Sequence, residues 1–289
     1  MPAASPMPVL LGLLAALLFG LQAVLARRTL RFVNAQTGAL ITICTAAAIF
    51  WSLYVWRMEW AHWRSPAVWV FASNGLLHPM LSMLLSFEAN RRMGATVSAT
   101  IAATTPLFAT AGALLLLGEA VTTPVLLGTL GIVAGIVTLT WGGGGTRSWK
   151  LPALGFPFGA AVVRAFNHVW GKFGLTYLAL PLLAATLSFT VSGTLSLLVY
   201  RVRLGRFPLG LPRGALVWGM LSGLCVSAAI LAMYTALTLG DVVVVSPVIN
   251  TYPLFTLAGS LLLREETLSR RILLGVLLVV AGVTLVSLH

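Results

Sequence analysis

The sequence predicts an all-α membrane protein of ten transmembrane helices, arranged as two inverted five-helix repeats, on three observations. Composition is the first: 59% of the 289 residues are hydrophobic and only 8% are charged, where a globular domain carries about 25% charge. The second is that the apolar residues fall into runs of about 20, the length that crosses a ~30 Å hydrocarbon layer. The third is a phrase written twice, TTPLFATAGALLLLGE at 104–119 and TYPLFTLAGSLLLREE at 251–266.

The runs lie near 9–26, 36–56, 67–87, 95–117, 123–141, 152–171, 179–200, 214–237, 242–263 and 272–288. Residues 1–8 contain no Lys or Arg, so the first run lacks the charged start of a signal peptide and is read as a span. Short connections leave no room for a soluble domain. Residues 106–140 align without gaps to 253–287, an offset of 147 that pairs spans four and five with nine and ten. A weaker echo pairs Gln22, Val24 and Arg27 with Asn167, Val169 and Lys172 at an offset of 145. The units are therefore 1–141 and 151–289, joined by the Gly-rich linker 142–150, with Gly142–Gly145 at the join.

Five crossings per unit send the second copy into the bilayer from the opposite side. Two similar inverted bundles can pack in two mirror-related ways around one midplane site, which is alternating access. Duplication that merely enlarges a structural bundle is the competing explanation.

The net charge of +12 would suggest nucleic acid in a soluble chain, but here Arg clusters at span ends, where orientation and lipid headgroups account for it. Cys44 and Cys225 lie mid-span and read as buried thiols. The four His residues show no ligand spacing with Cys or carboxylates, so no metal is expected. No Walker loop, GxSxG or Ser-His-Asp order appears. We expect no cofactor, no enzyme and no nucleic-acid partner. The expected partners are membrane lipid and a small zwitterionic or anionic metabolite, and the bundle is compatible with a monomer.

Two five-span halves, each carrying Pro-Leu-Phe, then small residues, then a Glu and a Gly-rich closing span, resemble the EamA branch of the drug/metabolite transporter superfamily. The carriers of the resemblance are Pro106-Leu107-Phe108 to Gly118-Glu119 and Pro253-Leu254-Phe255 to Glu265-Glu266; Arg264-Glu265-Glu266 departs from the Leu-Gly-Glu of the first copy. The resemblance implies a ten-helix transporter fold and a transport function.

Some of the shared residues have structural readings. Glu119 and Glu266 precede spans five and ten, where a helix N-terminus favours a carboxylate by about 0.3–1 kcal/mol. Pro106 and Pro253 are expected inside helices, where proline kinks the backbone, and serve as hinge candidates or as packing residues. Gly112, Gly128, Gly135, Gly259, Gly275 and Gly282 are expected to pack spans four, five, nine and ten tightly together. Trp51, Trp56, Trp60, Trp63 and Trp69 read as interface anchors.

Polar residues in hydrocarbon face a bundle interior or water. In span six, Arg164, Asn167, His168 and Gly171 share one helical face, and in span three Asn74, His78 and Ser82 recur every four residues. Gln22, Tyr234, Ser246 and Asn250 add polar positions, and Trp170 adjoins the face of span six. The candidate substrate site is thus Arg164, Asn167, His168, Asn74, His78, Gln22, Ser82, Tyr234, Trp170 and Asn250. Arg164 sits near the bilayer centre, and its planar fork suits a carboxylate; the alternative is a structural strut on carbonyls freed by Pro247 or Pro253.

The expected function is export of small polar metabolites such as amino acids across a bacterial inner membrane. The alternatives are a carrier of small organic anions, a membrane-embedded enzyme or a lipid scramblase. Proton coupling, if present, falls to His78 or His168, because all six acidic residues are expected at loops or span ends. Lys and Arg number 14 on the side of the odd-numbered connections and 3 on the side of the termini, which predicts periplasmic termini.

Overall fold

The computed structural model describes residues 6–93, 101–102, 104–140, 151–205, 210–262 and 270–287. The linker 142–150, the Arg264-Glu265-Glu266 motif and residues 94–100 and 103 at the start of span four lie outside the described residues. What is described is helical, with twelve α-helices of eight or more residues and three 3-10 turns. The first half contains α1 (Met7–Thr29), α2 (Ala35–Tyr54), α3 (Ala67–Leu77), α4 (Met80–Met93), α5 (Thr105–Leu117) and α6 (Thr123–Thr140). In the second half follow α7 (Gly155–Tyr177), α8 (Pro181–Leu204), α9 (Arg213–Leu239), α10 (Val242–Ile249), α11 (Tyr252–Leu262) and α12 (Arg270–Ser287).

Seven helical stretches are long and apolar enough to cross a membrane, and the apolar helices Thr105–Leu117 and Thr123–Thr138 are shorter. α7 is long enough at 23 residues but is not among the seven, because Arg164, Asn167, His168 and Lys172 lower its hydropathy. Two of the expected spans are broken. The third divides at His78, which precedes Pro79; a proline disfavours helical backbone in the residue before it, and His78 is extended at φ −125° and ψ 136°. The ninth divides at Asn250 and Thr251, between α10 and α11.

This second break corrects the expected place of the prolines. Pro253 is the second residue of α11 and Pro106 the second of α5, so neither kinks a helix interior. In the first turn the missing N–H has no helical partner to lose, and the fixed φ suits a helix start. The proline inside a helix is Pro247, in α10.

Packing between the halves runs through small residues. α6 lies along α12, where a Cβ on Gly128 would stand 2.6 Å from the Gly282 carbonyl oxygen and one on Gly135 would stand 2.8 Å from that of Gly275. At the 147-residue offset Gly128 corresponds to Gly275 and Gly135 to Gly282, so each contact is the exchange image of the other. Gly112 of α5 faces Val169 of α7 at 3.1 Å, and Gly259 of α11 faces Val24 of α1 at 3.2 Å, again an exchanged pair. The expected four-span cluster holds in part: α6 lies along α12 and α10 packs on α5, while α5 and α11 also pack on the opening helix of the other half.

Of the tryptophans, Trp56, Trp60 and Trp69 are exposed as anchors should be. Trp51 instead stacks on Trp63 at 6.4 Å and donates to Thr190 Oγ1 at 2.8 Å, so these two rings brace the protein itself.

Candidate functional site

The polar faces of α3 and α7 meet. α3 runs antiparallel to α7: the Gly174 position faces Phe71, Asn74 faces Asn167, and His78 lies toward Arg164. Asn74 Nδ2 donates to Asn167 Oδ1 at 2.8 Å, to Tyr234 OH at 3.0 Å and more weakly to Ser188 Oγ at 3.5 Å. Tyr234 OH donates to Asn167 Oδ1 at 3.1 Å, and Ser188 Oγ to the Phe71 carbonyl at 3.0 Å. α3, α7, α8 and α9 thus converge on one hub whose members are all buried. In a medium without water such bonds tie helices together.

One turn away lies the cationic part. The guanidinium of Arg164 interacts electrostatically with both His168 and His78. His168 Nδ1 is 2.8 Å from Ser246 Oγ on α10. Asn250 closes that helix, donating from Nδ2 to the Ser246 carbonyl at 2.8 Å. Two atoms here are buried without a hydrogen-bond partner, Arg164 Nε and Asn74 Oδ1. Leaving such a group unpaired costs about 1–3 kcal/mol, more when it is charged. Among the described residues no carbonyl accepts from Arg164, as the strut alternative would require.

Arg164, Asn167, His168, Asn74, His78 and Tyr234 are therefore brought together, and four other candidates are not. Asn250 spends its amide on its own helix. Gln22 donates to Ser222 Oγ at 3.1 Å, twelve residues before Tyr234 on α9, which is about 18 Å of helix. Ser82 donates to the Pro79 carbonyl inside its own turn at 2.9 Å. Trp170 is engaged on both sides: it stacks between Phe166 and Phe173 at 5.3 and 5.2 Å, and its Nε1 donates to Ser73 Oγ at 2.9 Å. Ser188 is the member that sequence reasoning missed, although Ser188, Ser192 and Ser196 repeat every four residues along α8, the same signal that marked α3.

Comparison with known proteins now decides the class. A family model for the EamA-like transporter family matches residues 6–141 and again 151–288. The chain belongs to that family. The two matches also divide this EamA-family chain where the internal repeat divides it. A solved crystal structure aligns with a TM-score of 0.81 at 19% identity, over 96% of this chain and 95% of the other, which shows a shared fold. No curated relative matches in sequence.

One further polar junction of this EamA-family protein lies at the membrane face of the N-terminus. Lys172 Nζ donates to the Leu237 and Gly240 carbonyls at 2.6 and 2.9 Å, holding the C-terminal end of α9. Glu119 accepts from Val242 N–H at 2.9 Å and Val243 N–H at 3.0 Å, holding the start of α10. Glu119 was expected to serve the N-terminus of α6, the helix that follows it. It serves a helix of the other half, by the same attraction of a carboxylate to free amides. Burial pushes the Glu119 carboxyl above its ordinary range; the two amides and Lys172 oppose that shift and Asp241 adds to it.

Proposed function

We propose that this protein is a secondary transporter working by alternating access, with ten crossings in two inverted halves, and that it exports small carboxylate-bearing metabolites, amino acids first, across a bacterial inner membrane. The exchange symmetry of the glycine contacts supports the inverted arrangement, because a two-fold relation between halves is what lets one bundle rock against the other.

The observation that carries the substrate class is the pair of orphaned atoms, the donor Arg164 Nε and the acceptor Asn74 Oδ1. Arg164 stands one turn from Asn167, which Asn74 touches, so donor and acceptor lie in neighbouring layers. A zwitterion supplies both missing partners, with its carboxylate on the guanidinium and its ammonium on the amide oxygen. Hub members Asn167 and Tyr234 then position Asn74 rather than contact the substrate. The hinge role assigned to Pro106 and Pro253 passes to the helix starts they form, beside the break at Asn250 and Thr251.

A small organic anion is the second reading, favoured by the two imidazoles facing Arg164 with no carboxylate acting on them among the described residues. Counterflow into proteoliposomes separates the readings. Amino acids should exchange while their decarboxylated amines do not. Exchange of dicarboxylates with no amino-acid flux would establish the second reading and overturn the first.

A further inference from the structure

We propose that Glu119 is a gating residue of the transport cycle, closing the face of the membrane on which the N-terminus lies by capping α10 across the two halves, and that Asp241 replaces it as the cap when that face opens. The inference rests on alternating access but not on the identity of the substrate.

The geometry is specific. α5 ends at Gly118, whose φ of 67° lies in the left-handed region, a helix-ending conformation that glycine adopts without strain. That turn sends the next residue away from the helix axis, and both Glu119 oxygens reach α10, 123 and 124 residues further along the chain. α10 has a cap of its own in place. Asp241 occupies the N-cap position with extended backbone, at φ −76° and ψ 148°, yet its side chain makes no capping hydrogen bond. Asp is among the best N-cap residues, reaching the amides of the second or third helical position, here Val243 and Val244.

A helix that needed only a structural cap would use Asp241. Delegating the cap to the other half creates a bond between halves that can be exchanged. Val244 N–H already donates to the Asp241 carbonyl, so when Glu119 withdraws the Asp241 side chain takes the Val243 amide and only that of Val242 is released. Lys172 meanwhile keeps its two bonds to α9. Both of these hydrogen-bond acceptors belong to the second half, so they stay in place when the halves separate, and only the attraction between Lys172 and Glu119 is released. Two arrangements of similar energy, distinguished by which carboxylate caps α10, make a two-state element of the kind that gating requires.

The test uses the full chain in lipid nanodiscs, with Cys44 and Cys225 replaced by Ala and spin labels at Ala120→Cys and Thr176→Cys, two exposed positions on opposite halves of this face. Glu119→Ala should shift the label distances toward the longer, open population. Asp241→Ala should shift them the opposite way and slow exchange, since the open state loses its cap. Val242→Pro removes one donated amide without touching Glu119, at the first helical position, where proline is tolerated. It should mimic Glu119→Ala and gives the readout even if Glu119→Ala fails to fold. Unchanged distances in Val242→Pro and Asp241→Ala, whatever happens to melting temperature, would overturn the proposal and leave Glu119 a static cap. Because distances are read without substrate, a shift with no amino-acid flux would retain the gate and reject the substrate reading.

Discussion

α1 and α7 hold equivalent places in the two halves, yet α1 turns a leucine stripe outward and α7 carries a polar face. Along α1, Leu10, Leu14, Leu17 and Leu21 are exposed on one outward stripe. At the 145-residue offset, Arg164, Asn167 and His168 of α7 stand where α1 has Phe19, Gln22 and Ala23. What the two retain in common is the surface that touches the other half: Val24 receives Gly259 and Val169 receives Gly112. Duplication has preserved the packing faces, which both halves need, and released the polar face, which only one needs. The scaffold is symmetric and the site is not.

The strongest way to break that comparison is to exchange chemistry for scaffold. Arg164→Gln should insert and fold at similar yield and lose transport. A hydrogen bond to a charged group is worth about 1.5–3 kcal/mol, roughly ten- to a hundred-fold in substrate affinity. Gln22→Ala on α1 should leave flux within about two-fold, because a bond of ~0.6 kcal/mol far from the site is all it removes. Proteoliposome exchange of both variants measures this, and equal losses would refute the asymmetry.

Next in size are the helix contacts, which should respond alike in both halves. A methyl on Gly128 meets the Gly282 backbone at 2.6 Å, where nothing flexible can yield, so Gly128→Ala should cost about 1–3 kcal/mol in unfolding titrations. Gly112→Ala and Gly259→Ala meet only valine methyls, at 3.1 and 3.2 Å. Their strain is offset by the ~1 kcal/mol helix preference for Ala over Gly, and both should be nearly neutral. A large difference between those two would show that the packing faces are not equivalent. Asn167→Ala should follow, at about 1 kcal/mol. It deletes the acceptor of two buried bonds, each worth ~0.6 kcal/mol between membrane helices.

Much of the scaffold was legible because hydropathy and an internal repeat encode it directly. The four-residue spacing of polar groups found α3 and α7. It also admitted Gln22 and Ser82, since residue type and period say that a side chain faces inward but not at which depth, nor whether its own backbone already satisfies it. The prolines were misplaced for a related reason. A proline forbids the helical bond before it, and the chain met that demand by stopping a helix rather than bending one. Glu119 was read as serving its own neighbour because a sequence shows which helix follows a carboxylate, not which helix end lies across the bundle.

The smallest expected effect tests that cross-half contact through pH. Burial is the leading influence on Glu119 and raises its carboxyl above the ordinary value of 4.5. The folded chain then holds this proton more tightly than the unfolded chain. Stability from this group is fully present below the unfolded value and is lost as pH rises through the raised folded value. Acidification from neutrality should therefore raise the melting temperature slightly until the ordinary value is reached, then no further. A neutral carboxyl still accepts one amide through its carbonyl oxygen, so the cap weakens without vanishing as the proton binds. Glu119→Gln, permanently neutral, should lack this increment while keeping every other pH dependence. Melting curves of the two proteins across the acidic range give the difference directly. A difference of the opposite sign would mean that the two amides and Lys172, not burial, govern this carboxylate, and that α10 binds it more firmly than its buried position suggests.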